Sequence, residues 1–537
     1  MSESVASDID ALVRRLDELE RDQQRLQQSL QSVEHSRDEY RALYQQMLER
    51  CRKLERGLLG QKAERLPAHE SQLSLAVLAS VLGEQAGEVA AEVVPAEEVR
   101  AHQRRKPVGR NPLPDEIPRV DIEIVPDEVK RDGLDAFERI GEDTTEVLER
   151  RPASMVVVRI IKPKFVRKER ERGAATEVFV GSTPELPIPR SVAGPGLLAD
   201  TVVKRWQDHC PLNRLEDIYA REGVQIARST MCGWHEQICV LCEPLVAAMR
   251  ADALGQPYLC VDATGVLVQA KDKCRTGHFW VIVAPKRHVL FEFTRSHDSD
   301  AVDVVLAGYE GYLVADAHVV YDHLYTDGTV VEVNCWAHCR RYFYKALESD
   351  PERAKQALGY IGALFRIERT IKTAPRKKRE RIRDKHSRPV VDAFFSWCDE
   401  QWPALLEDSP IYDGVRYARN QRVGLQRFLE DGRLPLHNNE SELNLRRQAI
   451  GRKNWLFVGS DDGARANAVF TSLLASCRML GVEPWSYLRD ILCLVPRWPV
   501  HRLIELTPLN WTATGRRPDV QALLAADPYR DATQQRA

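Results

Sequence analysis

The sequence predicts a multidomain α+β protein, and three observations indicate this fold class. A heptad pattern of apolar residues runs from residue 5 to 54, and β-like alternation marks residues 120–161. Strand-like runs then alternate with helical segments between 257 and 347. With 537 residues, of which 43% are hydrophobic, the chain is long enough for several domains, each with its own core.

The composition argues against a strongly basic protein, a disulfide-rich protein and a membrane-spanning protein. The formal net charge of −2 gives no global basic field, so any binding of nucleic acid must come from local basic patches. The 12 cysteines form no closely spaced framework, and no signal peptide or apolar run of about 18 residues is recognisable. The expectation is therefore a cytoplasmic protein with reduced thiols and no membrane span.

Residues 1–60 predict a long helix that pairs with another helix, because apolar residues recur at alternating steps of three and four without Pro or Gly through residue 54. Two partners are open: a second copy of the chain, giving a homodimer or higher assembly, or another helix of the same chain. Gln23 and Arg37 interrupt the seam. Its apolar positions are Val5, Ile9, Leu12, Leu16, Leu19, Leu26, Leu30, Val33, Tyr40, Tyr44, Met47, Cys51 and Leu54.

Two segments of different character follow. Residues 61–118 are interpreted as a linker, and its basic run 104–110 fits either a DNA-tracking segment or a solvated connector. Residues 119–185 predict a small β-rich module whose basic rim lies at 162–172.

Residues 190–250 predict a helical region. Helices are expected at 197–210 and 213–222, and a third after Ser229 as its N-cap. This order fits a helix-turn-helix that binds DNA, and equally a helical hairpin that binds nothing. The pair Cys239 and Cys242 has the spacing of metal ligands, but without a second pair it indicates packing.

Residues 255–460 predict a catalytic domain of ribonuclease-H-like α/β fold, because hairpin-linked strands are followed by a helix and then by a strand that would lie beside the first. A helical insertion is expected at about 346–435, a helical region at 461–515 and a loose tail at 516–537. The expected elements are strands 257–263, 264–270, 278–285 and 288–295, helix 299–309, strands 312–316 and 329–333, and helix 336–347.

Three carboxylates carry the predicted chemistry. Asp262 and Asp316 each end an apolar strand, and a third acid follows in the helix around 438–446. Carboxylate oxygens suit two Mg²⁺ ions, with Mn²⁺ as an alternative, and such a pair clamps both oxygens of a phosphodiester displacement. Asp262 is expected to bridge the two ions. Glu440 and Glu442 point about 200° apart on a helix, so only one faces the metals, and Glu442 is favoured because it shares a face with Arg446.

Basic and amide side chains near these acids are candidate DNA contacts. His338, Arg340 and Arg341 follow a strand, and Cys335, His338 and Cys339 are not expected to bind zinc because a fourth ligand is missing. The remaining candidate DNA contacts are Asn438, Asn439, Arg446, Arg452 and Lys453.

From the N-terminal helix to about residue 500, the chain resembles the bacterial insertion-sequence transposases of the IS-sixty-six family, the TnpC-type DDE transposases. The segments that carry the resemblance are 197–234, 261–264, 315–317, 335–341, 438–446 and 451–457. The resemblance implies that Asp262, Asp316 and Glu442 are the catalytic, metal-binding Asp-Asp-Glu triad. It further implies Mg²⁺-dependent cleavage and strand transfer at the inverted ends of a mobile element, acting on end and target DNA. Small accessory proteins of the same element and a nucleoid-associated location when bound to DNA are also implied.

The sequence departs from that family at two places. The usual zinc module has cysteine pairs around an Ile-Gly-Glu segment, whereas here residues 139–142 keep that segment but no Cys lies between Cys51 and Cys210. His437 stands where the family usually has Asp. Two alternatives to an active transposase therefore remain: a catalytically silent DNA-binding derivative, and a ribonuclease-H-type nuclease that cuts without strand transfer.

Overall fold

The structure, a computed structural model, describes residues 15, 21–37, 40, 44, 47, 69–82, 117–151, 154–167, 178–271 and 273–534. The chain divides into two compact units. One comprises Met1–Glu92 and Trp336–Leu436 and is called the helical unit below. The other, the mixed unit, comprises Val93–Cys335 and His437–Ala537.

Both helices and strands are present, in agreement with a multidomain α+β protein. The helices are α1 His69–Leu82, α2 Asp127–Asp132, α3 Pro195–Trp206, α4 Leu212–Arg221, α5 Arg228–Leu254, α6 Ser299–Val305, α7 Trp336–Ala346, α8 Pro351–Thr370, α9 Arg376–Ile382, α10 Arg388–Gln401, α11 Pro410–Asn420, α12 Arg422–Gln426, α13 Asn439–Trp455, α14 Asp461–Leu480, α15 Pro484–Leu494, α16 Pro508–Thr514, α17 Pro518–Ala525 and α18 Pro528–Gln534. The strands are β1 Arg119–Glu123, β2 Phe137–Arg151, β3 Ser154–Arg167, β4 Phe179–Val180, β5 Tyr258–Val268, β6 Arg275–Ala284, β7 His288–Thr294, β8 Gly311–Ala315 and β9 Val330–Asn334.

The mixed unit contains a five-stranded sheet in the order β7-β6-β5-β8-β9. Strands β5, β6 and β7 pair in antiparallel fashion, whereas β8 and β9 run parallel to β5. The predicted strands 257–263 and 264–270 are wrong as separate elements, because β5 continues through Gly265 to Val268 along β6. The strand is not interrupted because Gly265 pairs directly with His278.

The edge of this sheet is covered by a helix. Ser472 and Ser476 of α14 accept hydrogen bonds from the backbone N–H groups of Phe291 (2.7 Å) and Val289 (2.9 Å) in β7. A free edge strand invites pairing with other chains, so these two hydroxyls close an otherwise open row of donors. Helices α3, α5, α14 and α15 share one apolar core with the sheet.

A second sheet has the order β1-β3-β2, and β4 pairs with β3. Its core contains Val156 and Val158 of β3 together with Tyr529 and Ala532 of α18. The loose tail predicted from residue 516 is therefore wrong for the part that the structure describes. The reason is long-range packing: Tyr529 is fully buried, and its hydroxyl donates to the carbonyl of Pro184 (3.2 Å).

The helical unit is built around α8. Helix α1 packs on α8, where a Cβ on Gly362 would come 2.2 Å from Oγ of Ser74. The glycine therefore permits an approach that a side chain would block. Residues 69–82 were predicted as linker, and there the structure differs, because the glycine-bearing face of α8 supplies a surface for this apolar segment. The basic run at 104–110 lies outside the described residues.

One ion pair is enclosed in the helical unit. Arg383 is fully buried and donates from Nε to Glu368 (2.7 Å) and from Nη1 to the carbonyl of Asp431 (2.9 Å). Burial acts to raise the pKa of Glu368, but the hydrogen bonds and charge of Arg383 outweigh it and lower that pKa. Each guanidinium hydrogen bond with a neighbouring acceptor offsets part of the cost of burying the charge.

Helices α3, α4 and α5 occupy the region predicted to be helical. Helix α5 begins at Arg228 with Ala227 as its N-cap, so the prediction of Ser229 as the cap is wrong. The backbone of Gly223 has φ 89°, a value that favours glycine and ends the turn after α4. Cys239 and Cys242 are buried in the apolar core, in agreement with packing.

Most of the heptad segment lies outside the described residues. Residues 21–37 are helical, and the seam side chains Leu26, Leu30 and Val33 are 70%, 61% and 63% exposed. Among the described helices, none has the length and apolarity needed to cross a membrane.

Replacement of Tyr529 by Ala should lower the free energy of unfolding by about 3 kcal/mol, because it empties a buried aromatic site in the core of the second sheet. Chemical denaturation of the full chain measures the loss. Leu523→Ala on α17 is the control, since Leu523 is 49% exposed. Equal stability of the two variants would contradict the docking of the C-terminal helix.

Candidate active site

The register between β5 and β8 determines where two acidic side chains lie. The strands run parallel, and Cys260 pairs with Val314. Asp262 and Asp316 each stand two positions beyond that pair, so both lie at the same edge and on the same face of the sheet. The structure therefore brings together two carboxylates that are distant in sequence.

Helix α13 packs across β5 next to this edge. Asn438, directly before the helix, is fully buried and donates from Nδ2 to the carbonyl of Val261 (2.7 Å). Further along, Arg452 donates to Oγ1 of Thr264 (3.0 Å). The two bonds anchor both ends of the helix to β5. The prediction that Asp262 ends its strand is wrong, because β5 continues to Val268 in its pairing with β6.

The first turn of α13 carries the two candidate third acids. Glu440 is exposed, whereas Glu442 is half-buried. Burial raises the pKa of the Cys260 thiol, and the charge of Glu440 contributes next, so Glu440 also lies within electrostatic range of β5. Burial favours Glu442 as the inward-facing acid, in keeping with the helix-face argument, and the choice stays a prediction.

A buried tyrosine, Tyr321, lies within electrostatic range of the two carboxylates. Tyr321 is 2% exposed, and its pKa is raised first by burial and then by the charges of Asp316 and Asp262. A phenol under these influences keeps its proton at neutral pH. Tyr321 is therefore a neutral group close to both carboxylates.

His297 lies within electrostatic range of Asp316 and has two further histidine rings beside it, a group that sequence reasoning did not identify. The ring of His297 is 5.0 Å from that of His278 and 4.8 Å from that of His318. It also stacks on Trp280 at 4.9 Å. Burial lowers the pKa of His297, with His318 and His278 adding to the effect and Asp316 opposing it. Their grouping depends on tertiary structure, because His278 lies in β6 whereas His297 and His318 lie outside the strands.

The predicted DNA contacts on α13 have different surroundings. Asn438 has no exposed surface, so the prediction that it contacts DNA is wrong, because its amide is used to hold β5. Asn439, Arg446 and Lys453 are exposed, and for them DNA contact stays a prediction. Half-buried Arg452 is bonded to β5, and its contact with DNA also stays a prediction.

His437 takes a definite structural role. Its Nδ1 accepts a hydrogen bond from the backbone N–H of Asn439 (3.3 Å) at the start of α13. An aspartate at this position would offer a carboxylate oxygen for the same purpose, so the histidine retains an acceptor there. The departure from the usual Asp leaves the helix start supported.

His338, Arg340 and Arg341 belong to α7 of the helical unit, and all three are half-buried. Arg340 lies 5.5 Å from the ring centroid of Tyr344. Cys339 and Trp336 of the same helix are fully buried. The role of the three basic residues in contacting DNA stays a prediction.

The donor chemistry fits a hard divalent cation, since Asp262 and Asp316 offer carboxylate oxygens from equivalent positions after the last β5–β8 pair. Within the described part of the chain, no group of three or more His, Cys, Asp or Glu side chains is close enough to hold a metal ion. The register places Asp262 and Asp316 at equivalent positions of neighbouring strands, and the bound metal and its third ligand are proposals.

A comparison with known protein families shows to which family the chain belongs. Residues 190–466, just over half of the chain, match the family described as "Transposase IS66 family". The chain belongs to this transposase family. A second match, "Transposase C of IS166 homeodomain", covers residues 46–122 of the transposase and so spans much of the segment predicted as linker.

Proteins that are similar in sequence to this chain occur in Sinorhizobium fredii. The uncharacterized protein y4hP is 30% identical over 487 residues, covering 86% of the transposase and 87% of the relative. The uncharacterized protein y4qI is 28% identical, covering 76% and 78%. A third, the uncharacterized protein y4jD, is 27% identical, covering 75% and 82%. The similarity to y4hP covers more of the chain than the family match at residues 190–466.

In the transposase, Asn438→Ala should lower the free energy of unfolding by about 1 kcal/mol, since it leaves the buried carbonyl of Val261 without its donor. The first turn of α13 should lose its fixed position, so DNA cleavage should fall by more than the stability loss explains. Thermal unfolding and a cleavage assay measure the two effects.

Asn444→Ala is the matched control, because among the described residues the Asn444 amide donates only to the carbonyl of Glu440 in the same helix (2.8 Å). If the two variants cleave DNA equally well, the anchoring role of Asn438 is refuted.

Proposed function

We propose that the chain is an active DDE transposase that cleaves DNA and transfers the cut strand at the inverted ends of an insertion sequence. The observation that carries the proposal is the parallel register that sets Asp262 and Asp316 at one edge of the sheet, with α13 anchored across it. Family membership supports action on DNA.

The topology of the sheet supports a ribonuclease-H-like catalytic domain. Three antiparallel strands, β5 to β7, are followed by α6 and then by β8, which returns parallel to β5. This order places Asp262, within the first strand, beside the end of the fourth strand in the centre of the sheet. At such a point in the middle of a sheet, adjacent strands can present two acids to one substrate group.

Asp262, Asp316 and Glu442 would hold divalent metal, with Mg²⁺ as the expected ion. Bound Mg²⁺ would polarise the scissile phosphate and lower the pKa of the attacking hydroxyl. The chain's own contribution is placement: the backbone bond from Ala263 N–H to Oδ1 of Asp262 (2.8 Å) fixes one carboxylate. Protonated Tyr321 adds no negative charge beside it.

Local basic groups would bind the DNA backbone, because the net charge of the whole chain is only −2. Exposed Arg446 and Lys453 project from the helix that carries Glu442. Half-buried Arg340 and Arg341 are further candidates in the helical unit. Phosphate contacts of this type position the duplex without selecting its sequence.

The N-terminal helix would join two copies of the chain. Leu26, Leu30 and Val33 form an apolar row with steps of four and three that is largely exposed in the single chain. A row of this spacing is buried when a second helix packs along it. Pairing of two copies would bring two element ends together, and small accessory proteins of the same element would join that assembly.

A catalytically silent DNA-binding derivative is the second candidate, motivated by His437 in place of Asp. The hydrogen bond that His437 accepts from Asn439 weighs against it, since the start of the acidic helix is kept. A nuclease without strand transfer is the third candidate, and it would give nicks but no joined products.

Glu442→Ala should reduce cleavage of terminal element DNA in Mg²⁺ by more than about 100-fold, since even partners of metal ligands cost 10–100-fold when removed. Binding of the same DNA should be retained. Wild type in EDTA should not cut. Gel assays of labelled ends measure cleavage and joined products in one reaction.

Glu440→Ala is the matched control, because it removes the same charge from an exposed position on the same turn. Loss of cutting in this variant alone would assign the third carboxylate to Glu440. Wild type that binds DNA but does not cut it, even with the accessory proteins added, would favour the silent derivative.

Deletion of residues 1–56 should reduce the number of chains in the assembly that the protein forms in solution, because it removes the heptad seam. The double variant Leu26→Asp with Leu30→Asp should have the same effect, since it places charges in an apolar contact. Light scattering measures the mass. Gln28→Asp, off the seam of the same helix, should leave it unchanged; an unaltered mass in the double variant would point to pairing within one chain.

A further inference from the structure

Two guanidinium groups of the mixed unit are enclosed without an acidic partner. Arg447 of α13 is only 9% exposed and makes no hydrogen bond or ion pair with the residues that the structure describes. Nη1 of Arg205, near the end of α3, is buried and also has no hydrogen-bond partner. A buried charge is costly unless it is paired, so this arrangement calls for an anion.

Both groups lie around His209, in the loop after α3. Burial lowers the pKa of His209, and the charges of Arg447 and Arg205 lower it further. Gly451, one turn after Arg447, faces the same histidine: a Cβ added there would come 3.4 Å from Nδ1 of His209. The nearest atom to such a Cβ is Nε1 of Trp455 (2.7 Å), so the glycine lets the indole and the histidine lie close to the helix. Arg205 and His209 are partly exposed, so an ion from solvent can reach these two side chains.

No carboxylate compensates the two arginines. Burial lowers the pKa of Arg205 to about 10, and burial together with the charge of Arg478 lowers the pKa of Arg447 to about 10. Both side chains therefore stay charged at neutral pH. The nearby Asp200 is committed elsewhere, since it pairs with Lys204 (3.1 Å) and accepts from Tyr219.

Aromatic contacts explain only part of the arrangement. The guanidinium of Arg205 lies 4.5 Å from the ring centroid of Trp206 and 5.8 Å from that of Trp455. Stacking of this kind offsets some desolvation of Arg205 and leaves the edge of the guanidinium for a ligand. Within the described residues, no aromatic ring lies over Arg447, so its charge still lacks a counterpart.

We propose that Arg205, His209 and Arg447 bind one phosphate group of a DNA backbone. The proposal rests on the proposed function, because it takes DNA as the source of the phosphate. Arg447 follows Glu442 by five residues on α13, about 7.5 Å along the axis and on a different face. The bound phosphate would thus neighbour the scissile one and fix the strand relative to the catalytic edge.

The test uses the full chain, a short fluorescent duplex and EDTA, so that binding is measured without cutting. Arg447→Met should lower the slope of log affinity against log salt by about 0.9, the value for one lost phosphate contact in B-DNA. Affinity at low salt should fall about tenfold, as expected for a charge-assisted hydrogen bond. Arg516→Met removes the same charge from an exposed position and should leave the slope unchanged.

A thermal arm separates a binding role from a structural one. Without an anion, Arg447→Met should unfold at the same or a higher temperature than wild type, because an unpaired buried charge is removed. Inorganic phosphate should raise the Tm of wild type and of Arg516→Met, but not that of Arg447→Met. A lower Tm for Arg447→Met in phosphate-free buffer would overturn the proposal.

The remaining outcomes are also decisive. An unchanged salt slope and an unchanged phosphate response in Arg447→Met would overturn the site altogether. Loss of the phosphate response with an unchanged DNA slope would assign the site to free phosphate and overturn the DNA assignment. If the slope changes as expected but wild type never cuts in Mg²⁺, the proposed catalytic function fails while the phosphate site stands.

Discussion

The pairing of β5 with β8 is the constraint on which the proposed chemistry depends. Parallel strands need a crossover, and here β6, β7 and α6 supply it, so that Asp262 and Asp316 meet although a long segment separates them. A shift of one residue in this register would turn one carboxylate to the opposite face of the sheet. The two acids then could not serve a single phosphate group.

Helix α13 adds the second half of that constraint. Its bonds to β5 through Asn438 and Arg452 lie at its two ends, so the helix cannot slide along the strand without breaking both. Asn438 therefore acts through position and not through contact with DNA. The same helix presents acidic side chains in its first turn and basic ones in its last, the polarity that the helix dipole favours.

Charge in this protein is organised locally. Arg383 and Glu368 show the ordinary solution for a buried guanidinium, in which a carboxylate and backbone carbonyls accept its hydrogen bonds. Arg447 departs from that solution, since it is also buried but has no acceptor within the described residues. In a protein of a family that acts on DNA, a phosphate is the natural counter-charge. The small net charge of the chain conceals this local imbalance.

The sequence by itself determined the fold class and the candidate acids Asp262 and Asp316. An apolar run that ends in Asp is a local signal, so it can be recognised without tertiary information. Family membership followed from motifs that are equally local. Tertiary structure alone decided the burial of Asn438, the docking of Tyr529 and the convergence of His209 with Arg447, since each depends on residues distant in the chain. The apolar segment 69–82 was wrongly assigned to the linker for the same reason. It packs on the glycine-bearing face of α8, which is distant in sequence, so no neighbouring residue predicts the contact.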